Sequence, residues 1–238
     1  MRNREMSYIT RRALIFLRRL CVRRRIYALG DSHAEVLGHD LFKIAFPFTD
    51  IVVTCVHGAT VSGLENPNSK TQAKKKFATV INAIPKNSTV LLMLGEVDTG
   101  FVIWYRAKKY GESVDQMTDL AVDNYFELIK QVGERHRPVV ISTPLPTIGD
   151  DCPIGKVANQ RKEISATQEE RTALTMRFNT NIEALCRKLS ITYVNFDQNS
   201  IGPNGLVRDE LRHRDPANHH YKPLAHARLL ISKLRKIL

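Results

Sequence analysis

The sequence predicts an α/β protein built on a five-stranded parallel sheet with helices on both faces. Three observations carry that expectation. Five short apolar, β-rich runs recur along the chain, and a segment with helical periodicity follows each. Alternation of this kind describes a parallel sheet covered on both sides, and 238 residues with 43% hydrophobic content can fill the core. The chemically unusual residues cluster just after the runs, where sheets of this type bind their ligands.

Taken in order, Ile26 to Leu29 is the first strand, followed by a helix from about Ser32 to Ala45. The Val/Ile-rich run Asp50 to Val56 is the second strand. It leads through a glycine-containing turn to a helix around Lys70 to Ile84 that stops at Pro85. Thr89 to Leu94 is the third, ending at Gly95-Glu96-Val97-Asp98. Ser113 to Arg135 carries Met117, Leu120, Ala121, Tyr125 and Leu128 at helical spacing, and Pro138 to Ser142 makes the fourth strand. A polar loop over 147–164 reads as the rim of a site. Thr167 to Leu189 returns to helix, Ile191 to Phe196 is the fifth strand, and Pro223 to Leu238 is a closing helix after a turn-rich stretch.

The net charge of +12 changes meaning once it is located. Residues 1–25 hold nine arginines against Glu5, a share of +8, so the other 213 residues carry an ordinary +4. Nucleic acid is therefore not an expected partner of the globular part. Tyr8 to Val22 reads as a basic, partly amphipathic helix that could meet a membrane surface, a polyanion or another protein. The competing reading has it packing on its own domain with its arginines solvated. Four scattered cysteines form no C-x-x-C pair, which fits reduced thiols and a cytoplasmic setting. No window reaches the apolar length needed to span a bilayer.

The strand ends hold the chemistry. Gly30 permits a tight turn, and Ser32 falls at the start of a helical pattern, where backbone N–H groups favour negative charge. A serine there can act as a nucleophile with part of an oxyanion site built in; the competing role for Asp31 or Ser32 is an N-cap. Such a serine needs a histidine to accept its proton and a group to orient that histidine. The stretch from His213 to Tyr221 provides candidates, with His219 and His220 as bases and Asp215 as their partner. His213, Asp215, His219, His220 and His226 include metal-ligand types, but no H-x-x-x-H pair with a carboxylate stands out, so no metal is expected.

Gly30-Asp31-Ser32-His33 after the first strand, a glycine after the second, Gly-x-x-Asp after the third and Asp with His before the final helix resemble the SGNH, or GDSL-type, hydrolase superfamily. The resemblance implies a three-layer α/β/α, flavodoxin-like domain over 25–238 behind a basic helical extension at 1–24. It also implies ester hydrolysis or acyl transfer through a serine acyl-enzyme, with no metal or organic cofactor. Carried over residue by residue, Ser32 is the nucleophile and its own N–H an oxyanion donor. Gly58 or Gly63 is the second donor, with Gly63 preferred; Asp215 orients the base, which is His219 or His220. His33, Glu96 and Asp98 complete the expected oxyanion set. Apart from the resemblance, Arg171 and Thr175 lie four apart on the helix before the fifth strand and share a face that could bind a polar substrate; the competing reading is a solvated helix face.

One position departs from that pattern. The family's third block is Gly-x-Asn-Asp with an oxyanion-binding Asn, and Val97 stands in its place here. Loss of one such donor costs about a hundredfold in rate, so weak activity or a substitute donor is expected. The Gly-Glu-Val-Asp form is similar to a divergent branch found near glycan-processing enzymes, which makes a carbohydrate ester the expected substrate class. The alternative is a binding or accessory module that keeps the fold without the chemistry.

Overall fold

The structure, a computed structural model, describes residues 22–152 and 164–238. The expected basic helix and most of the loop after residue 152 lie outside the described residues. Five strands form one sheet: β1 (Arg24–Gly30), β2 (Thr49–Cys55), β3 (Thr89–Met93), β4 (Arg137–Ile141) and β5 (Thr192–Val194). Every pairing is parallel, and the spatial order is β2-β1-β3-β4-β5. This is the expected flavodoxin-like order, and it reverses direction between β1 and β3.

Alternation along β3 shows why both faces are buried. Val90 and Leu92 join a core with Phe77, Ile81, Tyr125 and Phe178, while Leu91 and Met93 join another with Phe42, Ile141, Tyr221 and Leu230. Successive side chains point to opposite faces, so a fully apolar strand needs helices on each. Four helices supply most of that cover: α2 (Ala73–Ala83), α4 (Val114–Gly133), α5 (Gln168–Lys188) and α7 (Pro223–Leu234). Both long ones begin with capping boxes, Ser113 with Gln116 and Thr167 with Glu170, which satisfy the otherwise unpaired first-turn N–H groups.

Two local findings differ from the sequence expectation. The first predicted helix splits into a 3₁₀ segment (Ser32–Gly38) and a short α1 (Asp40–Ala45). The break falls at His39, whose Nδ1 accepts from Leu41 N and caps the new helix. The segment after β3 was not expected to be helical. It forms a π turn (Asp98–Val102) running into α3 (Ile103–Tyr110). The short α6 (Asp197–Ser200) follows β5.

Candidate active site

The site lies at the carboxyl ends of β1 and β3, on either side of the point where the strand order reverses. Two glycines make the approach possible. A Cβ on Gly30 would stand 2.3 Å from Met93 O and 2.5 Å from Ala34 Cβ, so only glycine lets the chain turn there. Gly95 has φ +120°, and a Cβ on it would meet Thr143 Oγ1 at 2.7 Å. Between these turns, Asp31 caps the 3₁₀ segment by accepting from His33 N at 2.9 Å. The N-cap role thus falls to Asp31, and the Ser32 side chain is not spent on it.

Ser32 Oγ lies 2.9 Å from Nε2 of His220, 188 residues away in the chain. The surroundings of His220 fix its tautomer. Asn218 Oδ1 accepts both the backbone N–H of His220 and its ring Nδ1, each at 3.0 Å, so the amide presents oxygen to the ring. Nδ1 therefore carries the proton, and Nε2 is the acceptor for the Ser32 hydroxyl. Burial, with His33 and His219 nearby, pushes the His220 imidazole down to about 3, which keeps it neutral at ordinary pH. The loop carrying it is tied to the segment after β4. Thr147 Oγ1 donates to Asn218 O, Arg212 donates to Thr147 O at 2.9 Å, and Leu145 N donates to the Tyr221 hydroxyl at 2.8 Å.

Of the two candidate bases, His220 is the one on Ser32. The His219 ring packs against it, with centroids 4.0 Å apart. Asp215 does not reach the imidazole. Its Oδ1 accepts from Ala217 N in an exposed turn, because the loop is longer than the family spacing and Asn218 falls under the ring instead. The oxygen that meets the ring is thus Asn218 Oδ1 rather than a carboxylate of Asp215, an amide that fixes the tautomer without adding negative charge.

The oxyanion side differs more. Gly63 N donates to Thr60, to its carbonyl at 3.1 Å and its hydroxyl at 2.9 Å, so that amide is engaged. Gly58 sits in an exposed turn at φ +68°. Asp98 is fully buried and accepts from Val61 N at 2.8 Å and Ser62 N at 2.9 Å, fastening the turn after β2 rather than facing a substrate. Burial raises its carboxyl to about 6 against those bonds. Among the described residues, the Ser32 amide has no hydrogen-bond partner and remains the donor beside the hydroxyl. Val97, half-buried at the head of the π turn, offers no side-chain donor.

Glu96 and His33 form a pair that sequence reasoning placed near the site without defining. His33 Nε2 donates to Glu96 Oε2 at 3.3 Å, and both side chains are buried. The His33 ring contacts both other imidazoles, with centroids 4.5 Å from His220 and 5.2 Å from His219. Arg171 is buried rather than exposed on its helix. Its guanidinium donates to Ile148 O at 2.9 Å and Asp150 at 3.1 Å, holding the loop after β4, and a binding surface shared with Thr175 is not formed. Thr175 is buried too, bonded to Thr99 at 2.8 Å. A network missed in the sequence closes the neighbouring strand end. Asn179 bonds both polar groups of the Thr143 backbone and Asp197, whose carboxyl burial lifts to about 6.

Beside Asn218 opens a cleft of about 460 Å³ whose lining includes Thr147, Asp150, Arg212, His213 and Asp215. No helix among the described residues is long and apolar enough to cross a membrane. Cys55 and Cys186 are free thiols.

No family model and no curated protein sequence matches the chain. Solved structures do. A GDSL-like lipase from Bacteroides thetaiotaomicron superposes with a TM-score of 0.57 at 15% identity, covering 97% of each chain. A lipase/acylhydrolase from Enterococcus faecalis gives 0.52 at 15% identity, covering 90% of this chain and 96% of its own. An acetyl xylan esterase from Geobacillus stearothermophilus gives 0.53 at 13% identity, covering 91% and 95%. The parallel sheet, its strand order and these superpositions together establish that the chain has the fold of the SGNH, or GDSL-type, hydrolases.

Proposed function

We propose that this protein is a serine ester hydrolase acting on an O-acyl group of a polar, glycan-like substrate. The observation that carries the reading is the 2.9 Å contact between Ser32 Oγ and Nε2 of a His220 whose tautomer Asn218 sets. Ser32 attacks the ester carbonyl as its proton passes to Nε2. The tetrahedral oxyanion develops beside the Ser32 N–H, and His220 returns the proton to the departing alcohol. Water then attacks the acyl-enzyme with the same base. An acceptor hydroxyl in place of water gives acyl transfer from the same intermediate.

Two features support the substrate class. The cleft beside Asn218 combines Leu206 and Pro216 with a majority of charged and polar residues, among them Asp150, Arg212, His213 and Asp215, a lining that offers hydrogen-bond partners to a hydroxyl-rich alcohol. An acetyl xylan esterase is among the structural neighbours. The engaged Gly63 amide and Val97 favour a second reading, a binding or accessory module with little turnover. A fluorophosphonate probe separates the two. Labelling of the wild type that is lost in Ser32→Ala supports the hydrolase; an unlabelled wild type leaves the accessory module. Release of acetate from an acetylated oligosaccharide in preference to p-nitrophenyl octanoate supports the polar substrate, and the reverse preference refutes it.

A further inference from the structure

Three imidazoles meet at this site, and serine chemistry uses one. His33, His219 and His220 come from two ends of the chain, and one nitrogen of each lies within 4.8 Å of the others. Adjacent residues such as His219 and His220 commonly point apart, yet here the rings pack together against His33. Zinc bound by three histidines at about 2.0–2.1 Å needs nitrogens roughly 3.4 Å apart, so the rings draw together when the ion binds. Nitrogen-only sets of this kind take zinc, copper or nickel rather than magnesium or calcium.

Oxygen partners already stand behind two of the rings. Glu96 Oε2 lies 3.3 Å from His33 Nε2, and Asn218 Oδ1 lies 3.0 Å from His220 Nδ1. Metal-binding histidines are held in this way, with one ring nitrogen on a carboxylate or amide oxygen and the other on the ion. His219 and His220 are half-buried while His33 is buried, so an ion would enter past the outer pair and seat against the inner ring.

We propose that His33, His219 and His220 form a binding site for a zinc-class divalent ion and that occupancy switches the hydrolase off. With Nδ1 of His220 held by Asn218, ligation falls to Nε2, the atom that accepts the Ser32 proton. Metal binding and general-base action are therefore mutually exclusive, and the Ser32 hydroxyl is placed to be a fourth ligand. Inhibition rests on the proposed Ser32–His220 chemistry; binding does not.

The test is a titration of the full chain with cobalt(II) followed by its visible absorption, and with zinc by calorimetry, so binding is read without activity. One equivalent should bind with the intense absorption of a tetrahedral ion, and His219→Gln should weaken affinity at least tenfold. Glu96→Gln should weaken it about tenfold as an outer-shell change. Thermal melting of both variants without metal establishes that they are folded. Zinc should suppress fluorophosphonate labelling at the concentration that fills the site, with EDTA restoring it. No binding at millimolar metal, or affinity unchanged in His219→Gln, overturns the site. Zinc that binds but raises ester turnover overturns the inhibitory role. A protein that binds zinc but is never labelled, with or without EDTA, refutes the hydrolase and with it the inhibition, while the site stands.

Discussion

The two sides of Ser32 are built to different standards. On the proton-transfer side, the hydroxyl, the imidazole and Asn218 form a continuous chain of bonds between 2.9 and 3.0 Å, and the loop that carries them is tied to the segment after β4. On the oxyanion side, the amides of Val61, Ser62 and Gly63 are engaged by Asp98 and Thr60, and Val97 brings no side-chain donor. Under the serine chemistry proposed above, the contrast teaches that a fold can keep the means of activating a hydroxyl while using the loop on the other side to hold itself together. Rate should then depend steeply on the first side and be improvable from the second.

The largest effect should come from the proton-transfer side. His220→Ala removes the base, and general-base catalysis contributes about 10²–10⁴-fold, so kcat/KM for p-nitrophenyl acetate should fall by about a thousandfold. His219→Ala should fall far less in the same assay. Equal losses in the two variants would break the assignment of His220 as the base.

Next comes an attempt to repair the weaker side. Val97→Asn places an amide where the SGNH pattern has its donor, and an oxyanion donor is worth about a hundredfold when fully aligned. Val97 heads a π turn, so alignment should be partial. We expect kcat to rise by about tenfold with KM nearly unchanged, the signature of an interaction made only in the transition state. A fall in kcat would mean that the half-buried Val97 is needed for packing and that another donor already completes the hole.

Much of this architecture was legible in the sequence because it is periodic or local. The strands followed from apolar runs, the strand order from the resemblance, and the turn at Gly30 from the residue itself. Ser32 was legible for the same reason, lying two residues after a glycine that close packing requires. What stayed hidden depends on loop length and on distant partners. No spacing rule announces that Asn218 rather than Asp215 lies under the ring, since that is decided by turns at 215–218. Helical spacing put Arg171 and Thr175 on one face but did not show that the loop after β4 and the π turn would bury it. The π turn itself lacked a clean helical pattern.

A subtler change tests what an amide does in place of a carboxylate. Asn218→Asp keeps an acceptor for Nδ1 and adds a charge that favours the imidazolium. An opposite charge at this distance raises a histidine by roughly 1–3 units. In the wild type His220 sits at about 3, so it should contribute no acid limb to kcat/KM above pH 4. In the variant an acid limb should enter between about pH 4 and 6. Turnover at pH 7 should rise only a few-fold. An unchanged pH profile would show that position 218 does not couple to the base.

The smallest effect concerns the cap that leaves Ser32 available. Burial raises the Asp31 carboxyl to about 6, offset in part by His33 and its backbone N–H, whereas an unfolded chain returns it to about 3.9. Between those values the native state binds the extra proton, so this group favours the fold below about pH 4, and its contribution is lost as pH rises through 6. Asp31→Asn keeps the Oδ1 that accepts His33 N and removes the titration. The variant should match the wild type in melting temperature near pH 4 and exceed it by a few degrees at pH 7, flattening that stretch of the curve. If instead it melts lower at pH 7, the ionised carboxylate is stabilised by its surroundings despite burial. Asp31 would then belong with Asp98 among the groups that hold the site together, and the proton-transfer side would rest on a charge rather than on a cap.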